Sequence, residues 1–236
     1  MCRLVERGKL ALDRALADST RYDELISSSA RKEFEVTMKH VLRLVAVSVL
    51  LVSAVALHTT NPVQAAPATR DISNVHYFLS ASLVPGAWSA LERNDAGVAM
   101  TLHTTGLAPG HAVTVWWVIF NQPQYCSHGE LSFHCGPGDL AILGGDPRVQ
   151  SSLVYAGGHV IGGGGVGDYG AHLGVRDTGG ALFGPGLLNP RGADIHLVVH
   201  DHGPADPAIG VNDEIHSFGV CNPTCSDVQM SIHEAT

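Results

Sequence analysis

Twelve histidines lie between positions 66 and 236, and two of them, His200 and His202, stand one residue apart in the run DIHLVVHDHGPA at 194–205. On an extended strand, residues two apart share a face with Cα atoms about 6.6–6.8 Å apart, near enough for both imidazoles to reach one metal ion. In that geometry His196, Val198, His200 and His202 face one side, and Ile195, Leu197 and Val199 face the other. His196 is about 13 Å from His200 along a strand, too far to join the pair unless the chain bends. A third ligand must come from elsewhere. His172, His216 and His233 are the candidates, and His200, His202 and His172 form the expected set. Imidazole donors favour copper or zinc. The competing reading is a solvated row of histidines, or rings hydrogen-bonded in loops, because an H-x-H pair by itself lacks the three or four ligands a site requires.

The cysteines offer different chemistry. Cys126, Cys135, Cys221 and Cys225 form an even set downstream of Cys2, which in an oxidising compartment reads as two disulfides. Three connectivities are open. The local pairs, Cys126–Cys135 and Cys221–Cys225, are favoured, the second with Asn222-Pro223 supplying the turn. A Cys₄ zinc site needs two closely spaced pairs, and only Cys221/Cys225 qualifies.

Other catalytic patterns fail on context. Gly162, Gly164 and Gly167 fit G-x-G-x-x-G, but the residues that follow alternate like a strand. A dinucleotide fingerprint needs a helix there, so a hairpin or loop is the better account. No G-x-S-x-G elbow is present, and His233-Glu234 begins an H-E-x-x-H that is not completed. Scattered carboxylates neither support nor exclude a paired-acid glycosidase. No catalytic residue is assigned, and the expectation leans away from an enzyme.

The elements that must position these residues are strands. Val98, Met100 and Leu102 alternate with Ala99, Thr101 and His103, a half-buried strand. His111 to Phe120 (HAVTVWWVIF) is apolar on both faces, as in a central strand. Further candidates are 75–83, 140–143, 151–156, 169–175, 195–200, 215–220 and 228–232. With 26 Gly and 11 Pro punctuating residues 66–236, the pattern predicts an all-β fold. It is a single β-sandwich or open Greek-key barrel of about eight or nine short strands. Trp116 and Trp117 must point to opposite faces, one into the core and the other under a cover or a ligand. Trp88 falls in a loop-like segment.

The chain upstream reads as an export signal. Lys39, His40 and Arg43 precede fourteen uncharged residues, Leu44 to Leu57, and Val63-Gln64-Ala65 suits cleavage after Ala65. Fourteen residues fall short of the ~20 needed to span a bilayer. Residues 1–37 carry mixed charge with no evident partner, and are expected to be an over-extended or disordered leader before a true start at Met38. Residues 38–65 are the signal peptide and residues 66–236 the mature β domain. That domain has five Arg, no Lys and fifteen Asp and Glu, a net charge of −10 with His neutral. Such a surface repels phosphate backbones and anionic lipid, which excludes nucleic acid and, after cleavage, the membrane as partners. The expected location is periplasmic or secreted, and the expected partner is a ligand found there.

His200-Asp201-His202-Gly203-Pro204-Ala205 resembles the H-x-H-G-P-A signature of CHRD domains, extracellular β modules. Leu102 to Val115 (LHTTGLAPGHAVTV) resembles the strand-turn-strand that precedes it in that family, although here the two lie far apart. Copper-zinc superoxide dismutases also carry H-x-H on a sandwich strand. As a whole the mature chain resembles exported bacterial β-sandwich proteins of uncharacterised function, which implies a fold and no activity. The first expectation is therefore an exported, non-enzymatic β protein with a binding or structural role. The alternative is a copper- or zinc-binding protein using the His-x-His pair, for which the dismutase likeness implies redox chemistry.

Overall fold

The computed structural model describes residues 66–129 and 133–235. The expected leader (1–37) and signal segment (38–65) lie outside them. Nine strands form one antiparallel sheet: β1 (Thr69–Tyr77), β2 (Leu83–Asn94), β3 (Gly97–Thr104), β4 (His111–Phe120), β5 (Ser151–Val160), β6 (Gly167–Gly174), β7 (Ala181–Phe183), β8 (Asp194–Pro204) and β9 (Ser226–His233). Their order is β6-β3-β2-β1-β9-β8-β4-β5-β7. The sheet curls into a half-barrel, and β5 meets β6 across the open seam, where the His159 ring stacks on Tyr169 at 4.6 Å between centroids. The all-β expectation holds, in its open-barrel form.

Alternation along each strand builds the interior. Val75, Leu91, Met100, Leu102, Val115, Trp117, Ile119, Ile195, Leu197 and Val199 point inward and are buried together. What makes β4 and β8 unusual is a second apolar face. Trp116, Val118, Phe120, Val198, Met230 and Ile232 point outward and are also buried, packed with Cys135 and Val149 of the segment joining β4 to β5. That segment is a series of 3₁₀ turns (Pro123–Tyr125, Pro137–Asp139, Ala141–Leu143, Pro147–Val149) lying against the outside of the barrel. Strands buried on both sides lose the polar alternation of a one-sided sheet, which is why HAVTVWWVIF reads as it does.

Cys126 pairs with Cys135 within this covering segment, and Cys221 pairs with Cys225 in the loop before β9. Asp139 organises the first loop. Its buried carboxylate accepts the amides of Ser127 (2.8 Å), His128 (3.1 Å) and Gly136 (3.0 Å) and lies 3.1 Å from His128 Nδ1. Burial on its own would raise this carboxyl's pKa; the Ser127 and Gly136 amides, with His128, outweigh it, and the pKa is lowered.

Several strands differ from expectation for physical reasons. The expected 75–83 strand is the end of β1, a turn, and the first residue of β2. Trp88 lies on β2 rather than in a loop, and stacks outward on His103 with centroids 6.3 Å apart. Residues 140–143 form a 3₁₀ turn rather than a strand; Leu140 packs on the outer cluster while Ile142 and Leu143 stay exposed. Residues 215–220 form no strand; carbonyls of this segment are taken by histidine side chains instead, as described next. The glycine run 162–167 forms the connection from β5 into β6, and β6 follows it where a nucleotide fold would place a helix.

Candidate functional site

His200 and His202 lie on the outer face of β8 with their rings edge to face, centroids 4.8 Å apart. Both nitrogens of each ring have protein partners. His200 Nδ1 is 2.6 Å from Asp227 Oδ1, and its Nε2 is 3.1 Å from the carbonyl of Phe218. His202 Nδ1 donates to the Val220 carbonyl at 2.7 Å, and its Nε2, 3.0 Å from Thr114 Oγ1, accepts the hydroxyl proton. That hydroxyl in turn accepts the indole N–H of Trp116 at 2.8 Å. Burial lowers the pKa of His202, in keeping with a neutral ring in this chain.

The residues after the pair complete a clamp. Gly203 has φ +90°, and a Cβ there would run into the backbone of Asn222, so only glycine lets that loop approach so closely. The Asn222 amide donates to the His202 carbonyl at 2.6 Å, and Asn222 Nδ2 donates to the Pro204 carbonyl at 2.9 Å. The H-x-H-G-P run thus holds the 218–222 loop, through Phe218, Val220 and Asn222, onto the barrel wall. A further donor, Cys225 Sγ, lies within 4.8 Å of nitrogens of both histidines, but this sulfur is bonded to Cys221. None of the expected third ligands joins. His172 is exposed on the outer face of β6 and pairs with Ala99. His216 is exposed, its Nδ1 2.8 Å from the Asn212 carbonyl. His233 points into the barrel interior.

Beside the clamp is a cavity of about 290 Å³, between the outer face of the sheet and its covering segment. Its floor is Trp116, Val118, Phe120, Leu153, Val198 and Met230, and its sides include Phe78, Phe218 and Leu140. Ile142, Leu143 and Leu182 line it while remaining 51–65% exposed, so its rim is a patch of unburied aliphatic side chains. Two ionisable residues, His196 and Asp227, line it. Asp227 is held by His200. His196 packs on Phe120 with centroids 5.0 Å apart, is 5% exposed, and its Nε2 has no hydrogen-bond partner among the described residues. Burial, ahead of the neighbouring His233, pushes its pKa down to about 3, so the ring is neutral at physiological pH.

The interior holds an arrangement that no local motif announces. His233 Nε2 is 2.8 Å from Ser89 Oγ, and His233 Nδ1 is 2.9 Å from Asp71 Oδ2. A hydroxyl, an imidazole and a carboxylate in this order are the parts of a nucleophilic relay. Ser89, however, is 0% exposed and also hydrogen-bonds the Ser231 hydroxyl. The oxygen is buried inside the barrel, where the relay ties β1, β2 and β9 together. Arg93 closes the same end, donating to the carbonyls of Pro190 (2.9 Å), Ala193 (2.8 Å) and His233 (2.9 Å). These residues are far apart in sequence. Their only signal is that Asp71, Ser89 and His233 are polar at inward-facing strand positions.

Among the described residues no helix is long and apolar enough to cross a membrane. Comparison with protein-family models, curated proteins and solved structures returned no match.

Proposed function

We propose that residues 66–236 form an exported, non-enzymatic binding protein whose ligand is a small, neutral, largely apolar molecule seated in the outer-face cavity. The cavity carries this reading. Natural ligand sites of about 300–1,000 Å³ combine apolar walls with a few placed polar groups, and this one has aromatic and aliphatic walls, an open aliphatic rim and one unpartnered buried nitrogen. A buried polar atom without a partner costs roughly 1–3 kcal/mol, and a ligand hydroxyl or carbonyl meeting His196 would recover it. A cavity of about 150 Å³ accommodates one benzene ring; 290 Å³ suits a two-ring or branched aliphatic molecule. A charged ligand would lose its hydration with no uncommitted counter-charge to replace it. The disulfide pairs support export, since such bonds persist outside reducing compartments.

The test is titration of the disulfide-intact domain with the neutral fluorophore N-phenyl-1-naphthylamine. Saturable binding of one molecule per chain, with quenching of Trp116, is expected. Absence of saturable binding by this and a panel of comparably sized neutral compounds would overturn the reading.

A copper or zinc ion at His200 and His202 is the second reading, favoured by the adjacency of the two rings. It requires an ion to displace hydrogen bonds now made by both nitrogens of each ring. The same metal stoichiometry and affinity in the parent and in a His200→Ala, His202→Ala double variant would end it.

A further inference from the structure

We infer that His134, Asp194 and Glu234 form a binding site for a zinc-type divalent cation, separate from the His-x-His pair and from the ligand cavity. One donor atom from each lies within 4.8 Å of the others. The three come from different parts of the fold: His134 from the disulfide loop beside Cys135, Asp194 from the first position of β8, and Glu234 from just beyond β9. Two are already linked, because Glu234 Oε1 accepts the His134 amide at 2.9 Å.

The second observation is at Asp194. This residue is 1% exposed, its Oδ1 accepts the Ala235 amide at 2.6 Å, and its Oδ2 is buried with no partner among the described residues. A buried, half-satisfied carboxylate is costly unless a charge or donor meets it. Arg93, the cation nearby, directs its hydrogen bonds to three carbonyls instead. A divalent cation supplies what is missing.

The donor set selects the ion. Two carboxylates with one imidazole suit zinc-type ions better than calcium or magnesium, which take oxygen ligands almost exclusively. With metal–ligand bonds of about 2.0–2.1 Å, tetrahedral donors sit about 3.3 Å apart. His134 is exposed and Glu234 partly exposed while Asp194 is buried, so closing to that distance would move the first two side chains. Three protein ligands leave a fourth position for water. Bound there, the ion would pin the disulfide loop to the end of the barrel.

The experiment is native mass spectrometry and calorimetric titration of the disulfide-intact domain with zinc chloride after chelator treatment. His134→Ala, Glu234→Gln and the His200→Ala, His202→Ala double variant are compared with the parent. The expected result is one stoichiometric zinc, at least tenfold weaker in His134→Ala and in Glu234→Gln and unchanged in the double variant. Because His134 is exposed, its variant is expected to keep the parent's apo circular dichroism spectrum and urea midpoint, which separates lost ligation from lost folding. No stoichiometric zinc in the parent, or equal affinity in the parent, His134→Ala and Glu234→Gln, would overturn the assignment.

Discussion

Trp116 and Trp117 are neighbours on β4 yet belong to two different cores: Trp117 fills the barrel interior, while Trp116 forms the floor of the outer cavity and donates its indole N–H to Thr114. One peptide bond separates an interior core residue from one that faces the outer cavity. Trp117→Ala is expected to cost about 3–5 kcal/mol, the range for emptying a packed aromatic site, read from urea unfolding. Trp116→Ala is expected to weaken fluorophore binding at least tenfold while leaving a cooperative unfolding transition. Equal effects of the two substitutions on both measurements would contradict the two-core picture.

His196 makes stability depend on pH. Its folded pKa, about 3, is below the ordinary value of about 6.5, so between those values the unfolded chain binds a proton that the folded chain does not. This histidine's contribution is therefore fully present above about pH 6.5 and is lost as pH falls towards 3. His196→Leu should flatten that part of the stability curve. Urea midpoints from pH 7 to 4 that fall equally in parent and variant would disprove the assignment.

Asp139 acts at lower pH. Its folded pKa is lowered, so its contribution is present above the ordinary carboxyl value and is lost as pH falls below about 3.8 towards the folded pKa. Replacing it with Asn sets an NH₂ against amide donors and should destabilise the domain by about 1–3 kcal/mol at neutral pH. The Cys126–Cys135 loop should become more accessible to reductant, which thiol trapping under mild dithiothreitol would measure.

Opening that disulfide tests the covering segment directly. The Cys126→Ser, Cys135→Ser variant should lose roughly 2–3 kcal/mol by loop entropy. It should also bind the fluorophore more weakly, because Pro137, Leu140, Ile142 and Leu143 all line the cavity from this segment. Unchanged affinity would mean that the segment positions its side chains without the crosslink.

Gly203 tests the clamp. Gly203→Ala places a methyl group against the Asn222 backbone at a positive φ, a combination of strain and overlap expected to cost about 1–3 kcal/mol. If the H-x-H-G-P run is a clamp, the Cys221–Cys225 loop should gain hydrogen exchange in this variant. Exchange confined to other regions would argue against it.

Period-two alternation and the two-sided apolar run at 111–120 identified β3, β4, β8 and β9, because those residues report directly on what each face touches. β2 was hidden: Pro85, Gly86 and the alternation of Ser89 and Arg93 with exposed Trp88 and Glu92 suggest a loop, since the inward positions on either side of Leu91 carry the polar network instead of aliphatic groups. Residues 215–220 misled in the opposite direction. Their apolar content matches a strand, but their carbonyls face His200 and His202 instead of a neighbouring ladder.

By itself the sequence determined the all-β class, the opposite orientations of Trp116 and Trp117, and the alignment of His196, His200 and His202 on one face of a strand. All of these follow from the fixed two-residue period of extended backbone. Only the tertiary structure decided what that face meets. Its carbonyl and carboxylate partners, the cavity over His196, the Ser89–His233–Asp71 tie and the His134–Asp194–Glu234 cluster arise where segments far apart in sequence converge. Spacing along a chain carries no record of such meetings, because they are set by how the sheet curls and by which loops its disulfides and glycines let lie against it.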